Sequence, residues 1–157
     1  MIILACLIPE EQGNIPTHFT NWPLHLTLIP WFEISGKELP KFLTAVESIA
    51  GNYGPIQLNQ EGSANFSARE VRVTLIRPTT EIINLHQDLL LAISDSNALI
   101  LSSRYTGSNF RPHITEQAGR SLPEAKVIIS HKLYLITKEF ADQRQIVHDI
   151  EFSKTDS

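Results

Sequence analysis

Apolar positions recur along the chain at two spacings, one typical of β-strands and one typical of α-helices. Apolar runs and period-two alternation predict strands over residues 2–8, 24–34, 56–67, 69–78, 110–115, 127–138 and 145–152. Residues 37–49 and 79–94 instead repeat apolar side chains every three or four positions, which predicts helices with one buried face. Pro30 interrupts the second predicted strand, so we expect an edge position or a break there.

The order of these elements predicts an α+β fold. Strand, helix and strands precede Thr79, and a helix and strands follow it, so the chain divides into two weakly similar halves. Neighbouring strands with short connections favour antiparallel pairing over a doubly wound parallel sheet. With 157 residues, 42% of them hydrophobic, the chain can bury a sizeable core. We expect residues 1–157 to form a single domain with pseudo-duplicated lobes.

Each half contains a histidine and a threonine two positions apart on a predicted strand. The first copy is PLHLTL and the second is RPHITE. Because strand side chains alternate between faces, His25 and Thr27 point to one side and the flanking leucines to the other. His113 and Thr115 have the same relation. A third copy, which begins at His18, lies in a polar loop and shows how easily this tripeptide arises.

The two copies can form one site if their strands are neighbours, about 4.8 Å apart. Threonine hydroxyls can donate hydrogen bonds to two oxygens of a tetrahedral anion. One neutral imidazole can take a proton from water, and one imidazolium can give a proton to a leaving oxygen. This combination suits hydrolysis of a phosphodiester without a metal. The alternative at this point is a half-buried structural histidine in each strand.

Composition and charge argue against several other classes of function. A formal net charge of −4 argues against binding long nucleic acid, including double-stranded nucleic acid, through a broad basic surface. Cys6 is the single cysteine, and the six histidines lack metal-ligand spacing, so no disulfide, metal or other cofactor is expected. No segment has the pattern of a membrane span or a targeting signal, so we expect a cytoplasmic protein without a membrane partner, and a monomer.

Further side chains near the motifs are candidates for contacts with a substrate. Three aromatic residues in or near loops can stack on a nucleobase: Trp22, Tyr105 and Phe110. Three arginines around the second motif can hold a phosphate: Arg104, Arg111 and Arg120. We expect surface or rim positions for the histidines His86, His131 and His148, and core positions for the aromatic residues Phe42, Phe66 and Trp31.

With both motifs placed, the chain resembles the two-histidine (2H) phosphoesterase superfamily. That group includes bacterial RNA 2',3'-cyclic phosphodiesterases, also called 2'-5' RNA ligase-like proteins. The resemblance rests on PLHLTLIPWF at residues 23–32 and FRPHITE at residues 110–116, supported by LIPEE at residues 7–11. It implies a bilobal α+β fold in which two antiparallel sheets form a central cleft and the helices lie outside.

The resemblance also implies a reaction. His25 and His113 would be the catalytic acid and base, and Thr27 and Thr115 would bind the phosphate. The expected reaction opens the 2',3'-cyclic phosphate of a nucleotide or RNA end to a 2'-phosphate, without a metal, as a step of RNA processing. Some members of the family instead join or cleave 2'-5' linkages, so 2'-5' RNA ligase activity is an alternative.

Glu116 departs from the family pattern, in which a hydrophobic residue usually follows the second threonine. On strand alternation its side chain would point to the buried side. Either the strand ends before Glu116, or Arg120 pairs with it. Its charge also leaves open a module that binds a nucleotide or RNA end without turning it over.

Overall fold

Short antiparallel strands and two α-helices make up the fold. The structure is a computed structural model that describes residues 1–66, 71–123, 127–140 and 142–154. The strands within these residues are β1 (Ile2–Leu7), β2 (His18–Phe19), β3 (Leu26–Glu33), β4 (Ile56–Leu58), β5 (Gln60–Phe66), β6 (Val71–Ile76), β7 (Leu99–Ile100), β8 (His113–Thr115), β9 (Ile128–Ser130), β10 (Lys132–Phe140) and β11 (Gln143–Glu151). The helices are α1 (Leu39–Ala50) and α2 (Thr80–Asp95). Short 3₁₀ helices cover Glu10–Gln12 and Gly107–Asn109.

Both α-helices begin and end within two residues of their predicted positions. Pro40 lies in the first turn of α1, where the proline's missing backbone N–H has no intrahelical partner to lose. At the start of α2, the Ile82 backbone N–H donates a hydrogen bond to the Thr79 hydroxyl at 3.4 Å, which caps the helix. Neither helix of the described residues is long and apolar enough to cross a membrane.

Nine strands of the described residues join in one antiparallel sheet. The order across this sheet is β2-β11-β10-β1-β3-β8-β6-β5, with β7 paired to β3, while β4 and β9 pair separately. The predicted α+β class with antiparallel strands is confirmed. The family resemblance implied two sheets around a cleft, whereas hydrogen bonding links the strands of both halves through β3 and β8. The division into two lobes around a cleft stays a prediction.

Pro30 lies inside the sheet, at a bulge in β3. This strand pairs with β1 on one side and with β7 and β8 on the other, so the predicted edge position is wrong. The pairing with β1 shifts register between Ile29 and Phe32, and one extra residue of β3 is accommodated there. The predicted break therefore occurs as a β-bulge, which tolerates a proline without a backbone donor.

Several predicted strands are shorter or divided in the structure. β8 begins at His113, directly after Pro112, which has no N–H to donate to a neighbouring strand. The segment predicted as one strand over residues 127–138 is divided at His131 into β9 and β10. Continuous apolar character therefore predicted extended backbone correctly but not the point at which the chain changes its pairing partner.

The two helices pack against one face of the sheet and form the main core with it. Ile3, Ala5 and Leu7 of β1 point to this face, and the rings of Phe32 and Phe42 meet there at 5.3 Å between centroids. A smaller cluster on the opposite face consists of Leu4, Cys6, Ile8, Phe19 and Ile136. Burial raises the pKa of the Cys6 thiol, consistent with the structural role expected for this cysteine.

Candidate active site

The two motif strands are neighbours in the sheet, as the sequence predicts. Leu26 of β3 pairs with Ile114 of β8 in an antiparallel register, and both side chains are buried at 0% and 2% exposure. Residues on either side of this pair therefore point to the other face, which is the one opposite the helices. The two histidines and two threonines of the motifs share that face.

The register also fixes which motif side chains oppose each other. Because Leu26 opposes Ile114 and the strands run antiparallel, Thr27 lies opposite His113. His25 directly precedes β3, and continuation of the same register places it opposite Thr115. Side chains that oppose each other across such a pair have Cβ atoms about 4.5–5.5 Å apart, and diagonal neighbours about 7–8 Å apart. The two imidazoles are thus diagonal neighbours, a spacing at which a single phosphate can contact both.

Both motif imidazoles are oriented by the same local hydrogen bond. Nδ1 of His25 lies 2.9 Å from the Pro23 carbonyl oxygen, and Nδ1 of His113 lies 2.7 Å from the Arg111 carbonyl oxygen. A carbonyl can only accept, so Nδ1 carries the hydrogen in each ring. Nε2 is consequently the nitrogen that each ring offers to a substrate, as a base when neutral and as an acid when protonated.

Burial lowers the pKa of both motif imidazoles and so favours their neutral forms. It lowers the pKa of His25 below its usual value, and the charge of a protonated His113 lowers it further. Burial also lowers the pKa of His113, with a contribution from the Arg111 guanidinium. In each case the carbonyl bond at Nδ1 opposes this effect. Since the two rings disfavour each other's charge, a pair with one proton forms more readily than a doubly protonated pair.

Aromatic rings pack against both imidazoles. Trp22 stacks on His25 with 4.6 Å between ring centroids. Phe66 meets His113 edge-on at 4.7 Å, and Tyr105 meets the same imidazole edge-on at 5.8 Å. Trp22 and Tyr105, candidates for stacking on a base, thus contact the motif histidines directly. Phe66 was expected in the core and is instead half-buried beside the site.

A cavity of about 210 Å³ lies on the Thr27–His113 side of the site. Its lining residues are Leu4, Thr27, Leu28, Pro30, Ser102, Arg104, Tyr105, Phe110, Arg111 and His113. The Arg111 guanidinium lies 4.8 Å from the centre of the Phe66 ring, and the Arg104 guanidinium lies 5.3 Å from that of Tyr105. Two cations and two aromatic rings, those of Tyr105 and Phe110, therefore border an opening next to one histidine and one threonine.

Arg120 reaches across to the loop that precedes the first motif. Its guanidinium donates a hydrogen bond of 2.8 Å to the Trp22 carbonyl oxygen, so the suggested pairing with Glu116 is not the contact that forms. The other suggestion is correct, because β8 ends at Thr115. The Glu116 backbone N–H then bonds the Arg72 carbonyl oxygen at 3.0 Å.

His86 is buried, which corrects the expectation of a surface or rim position. Its side chain is 1% exposed, and its ring stacks on Phe110 at 3.9 Å with an interplanar angle of 8°. A signal for burial was present, because His86 lies four positions after Ile82 and seven before Ile93 on the apolar stripe of α2. At this position, the helical spacing of the apolar residues predicts burial better than the residue type does.

The other histidines and Trp31 lie outside this arrangement. The exposed side chain of His131 and the half-buried side chain of His148 pair with glutamates at 2.6 and 3.2 Å, consistent with the surface or rim positions expected for both. His18 lies in β2 at the opposite end of the sheet from β8 and its neighbours. Trp31 was expected in the core and is half-buried, with the Lys138 ammonium 4.5 Å from its ring centre. In the part of the chain that the structure describes, no group of three or more potential metal ligands is assembled.

Solved proteins share this fold over nearly their whole length. TT0787 from Thermus thermophilus aligns with a TM-score of 0.66 and 18% identity, over 98% of this chain and 99% of that chain. Escherichia coli LigT in complex with NADP+ aligns with a TM-score of 0.59 and 17% identity, over 97% of each chain. A structure described as a phosphoesterase aligns with a TM-score of 0.57 and 18% identity, over 98% of this chain and 99% of that chain.

The sequence itself carries the family assignment. No curated protein matches this chain, whereas the profile of the 2'-5' RNA ligase superfamily matches residues 10–156, which include both motifs. The resemblance to the two-histidine phosphoesterases, read from the motifs alone, is therefore confirmed. This chain belongs to the 2'-5' RNA ligase superfamily.

Proposed function

We propose that this protein is a metal-independent cyclic phosphodiesterase that opens the 2',3'-cyclic phosphate of a nucleotide or RNA end to a 2'-phosphate. The main support for the proposal is that the two imidazoles are held in the same way on neighbouring strands. Each ring uses Nδ1 on the carbonyl oxygen two residues before it, so each leaves Nε2 for chemistry, and their strands are adjacent. The protein acts as one domain of residues 1–157, because the two halves of the chain each supply half of the site.

In the proposed reaction, His25 and His113 exchange protons with the reacting oxygens. The neutral imidazole takes a proton at Nε2 from water, whose oxygen attacks phosphorus. The bond from phosphorus to the 3'-oxygen breaks, and the protonated imidazole gives its Nε2 proton to that oxygen, leaving the phosphate on the 2'-oxygen. Thr27 and Thr115 donate hydrogen bonds to the two non-bridging oxygens and stabilise the charge that develops there. Proton exchange with solvent restores the starting state.

The nucleoside is proposed to occupy the 210 Å³ cavity beside His113. Structures of E. coli LigT contain NADP+, ATP or 3'-AMP, which supports a nucleotide as the ligand of this family member. Tyr105 and Phe110 line the cavity and can contact the base, while Arg111 can contact a phosphate. Trp22 acts indirectly, because its ring holds the His25 imidazole.

The test is hydrolysis of a panel of 2',3'-cyclic nucleotides and a cyclic-phosphate-ended oligonucleotide in excess EDTA, measured against pH. We expect a bell-shaped profile of kcat/KM with its maximum below about pH 6.5, because activity falls at lower pH as the base becomes protonated and at higher pH as the acid loses its proton. The pKa values of His25 and His113 are both lowered from 6.5, so above this pH neither ring of the free enzyme keeps the proton that the acid must supply.

Product analysis by phosphorus NMR distinguishes this proposal from the alternatives. A 2'-phosphate product supports it. Binding of the nucleotides without any product would instead indicate a binding module, and a new 2'-5' linkage between two oligonucleotide ends would indicate a ligase. Turnover that stops in EDTA would contradict a metal-independent reaction.

A further inference from the structure

His86 connects both motif segments through a single buried ring. Its Nδ1 lies 2.7 Å from the Leu28 carbonyl oxygen, and the Gly107 backbone N–H donates a hydrogen bond of 2.9 Å to its Nε2. Leu28 directly follows Thr27 in β3. Gly107 begins the 3₁₀ helix that precedes the second motif. One side chain of α2 therefore holds two segments that are distant in the sequence.

These two hydrogen bonds define the state of the ring. The Leu28 carbonyl oxygen can only accept, so Nδ1 carries the hydrogen, and Gly107 donates, so Nε2 presents its lone pair. The imidazole is therefore neutral. Burial also lowers the pKa of His86, which maintains this state near pH 7. A proton on Nε2 would remove the acceptor that Gly107 uses.

The segment held by His86 forms one wall of the substrate cavity. Gly107 lies between Tyr105 and Phe110, which both line the cavity together with Thr27. The Phe110 ring stacks on the His86 imidazole at 3.9 Å. Gly107 also has a positive φ of 62°, a conformation that glycine adopts readily and that other residues rarely adopt.

We propose that His86 is a positioning residue for the nucleoside: by bonding Leu28 and Gly107 at once, it sets the distance between the cavity wall at Tyr105 and Phe110 and the phosphate site at Thr27. This role rests on the proposed phosphodiesterase function. In this role, the buried histidine affects substrate binding through the cavity wall and does not contact the reacting atoms.

Two substitutions of His86 each remove one of its two hydrogen bonds and keep the other. The amide of asparagine reaches the place of Nδ1, so His86→Asn keeps a donor for Leu28 and loses the acceptor for Gly107. The amide of glutamine reaches the place of Nε2, so His86→Gln keeps an acceptor for Gly107. His86→Gln loses the donor for Leu28, so each variant keeps only one of the two bonds. We expect KM for 2',3'-cyclic AMP to rise about tenfold in both variants, with kcat changed less than about threefold.

A second readout does not depend on turnover. Amide hydrogen exchange at Gly107 is expected to accelerate in His86→Asn and to stay slow in His86→Gln, because only the second variant keeps the acceptor. The control is Tyr53→Phe, which removes the 2.7 Å hydrogen bond from Tyr53 to Asp88 on the same helix. This control should lower the unfolding temperature while leaving KM and the exchange of Gly107 unchanged.

The outcomes separate this role from a purely structural one. If both His86 variants keep the wild-type KM, and lose kcat only in proportion to the fraction of unfolded protein, the positioning role is wrong while the proposed function stands. If the wild-type protein itself fails to hydrolyse any cyclic nucleotide, the proposed function is wrong and the positioning role is overturned with it.

Discussion

Replacement of His113 with alanine is expected to slow hydrolysis of a 2',3'-cyclic nucleotide about 10²–10⁴-fold, and replacement of His25 is expected to do the same. Each variant removes one of the two imidazoles that are proposed to transfer protons. The two losses should not add, because a base without its acid, or an acid without its base, gives little catalysis. Single-turnover rates of the two single variants and the double variant measure this.

His148→Ala is the matched control for these variants. Its imidazole is half-buried and pairs with Glu47 at 3.2 Å, far in the sequence from both motifs. It should keep wild-type turnover, which would show that loss of a histidine alone does not impair the enzyme. Wild-type turnover in either His25→Ala or His113→Ala would contradict acid–base catalysis by the motif pair.

Replacement of Leu26 with alanine is expected to lower the free energy of unfolding by about 2–5 kcal/mol. Leu26 is fully buried and pairs directly with Ile114 where the two motif strands meet. The smaller side chain leaves a cavity beneath the phosphate site and loses contact with the helix-covered core. Urea denaturation of the two proteins gives the difference in unfolding free energy.

Leu91→Ala provides the comparison for this loss. Leu91 is 63% exposed and lies in α2, so its replacement should change the unfolding free energy by no more than about 0.5 kcal/mol. Equal losses of unfolding free energy in Leu26→Ala and Leu91→Ala would contradict the idea that buried apolar residues, which alternate with the polar motif residues, hold the two motif strands together.

Local patterns allowed the helices and the motif faces to be predicted from the sequence. Apolar spacing over residues 37–49 and 79–94 indicates one buried stripe on each helix. This pattern depends on the sequence of the helix alone. Alternation around His25 and His113 likewise assigned the polar pairs to one face. Each motif supplies one histidine and one threonine, which is half of the expected site. Adjacent positions for the two motif strands could therefore also be expected from the sequence, and β3 and β8 are adjacent.

Contacts between distant segments were the part that the sequence did not reveal. The bond from His86 to Leu28 spans 58 positions, and a histidine on an apolar stripe gives no indication of which carbonyl it will bond. The same applies to Arg120, whose partner is the Trp22 carbonyl oxygen, 98 positions away. The position of β3 inside the sheet, despite Pro30, also depends on tertiary pairing that overrides the local preference.

His25 and His113 are proposed to act on one and the same phosphate group. The most direct measurement is a titration of the protein, ¹⁵N-labelled at its histidines, with adenosine 2'-monophosphate, followed through the imidazole nitrogen resonances. The account predicts that Nε2 of His25 and Nε2 of His113 shift together with a single dissociation constant, while His148 does not respond. A response at only one of the two motif histidines, or two clearly different dissociation constants, would contradict it.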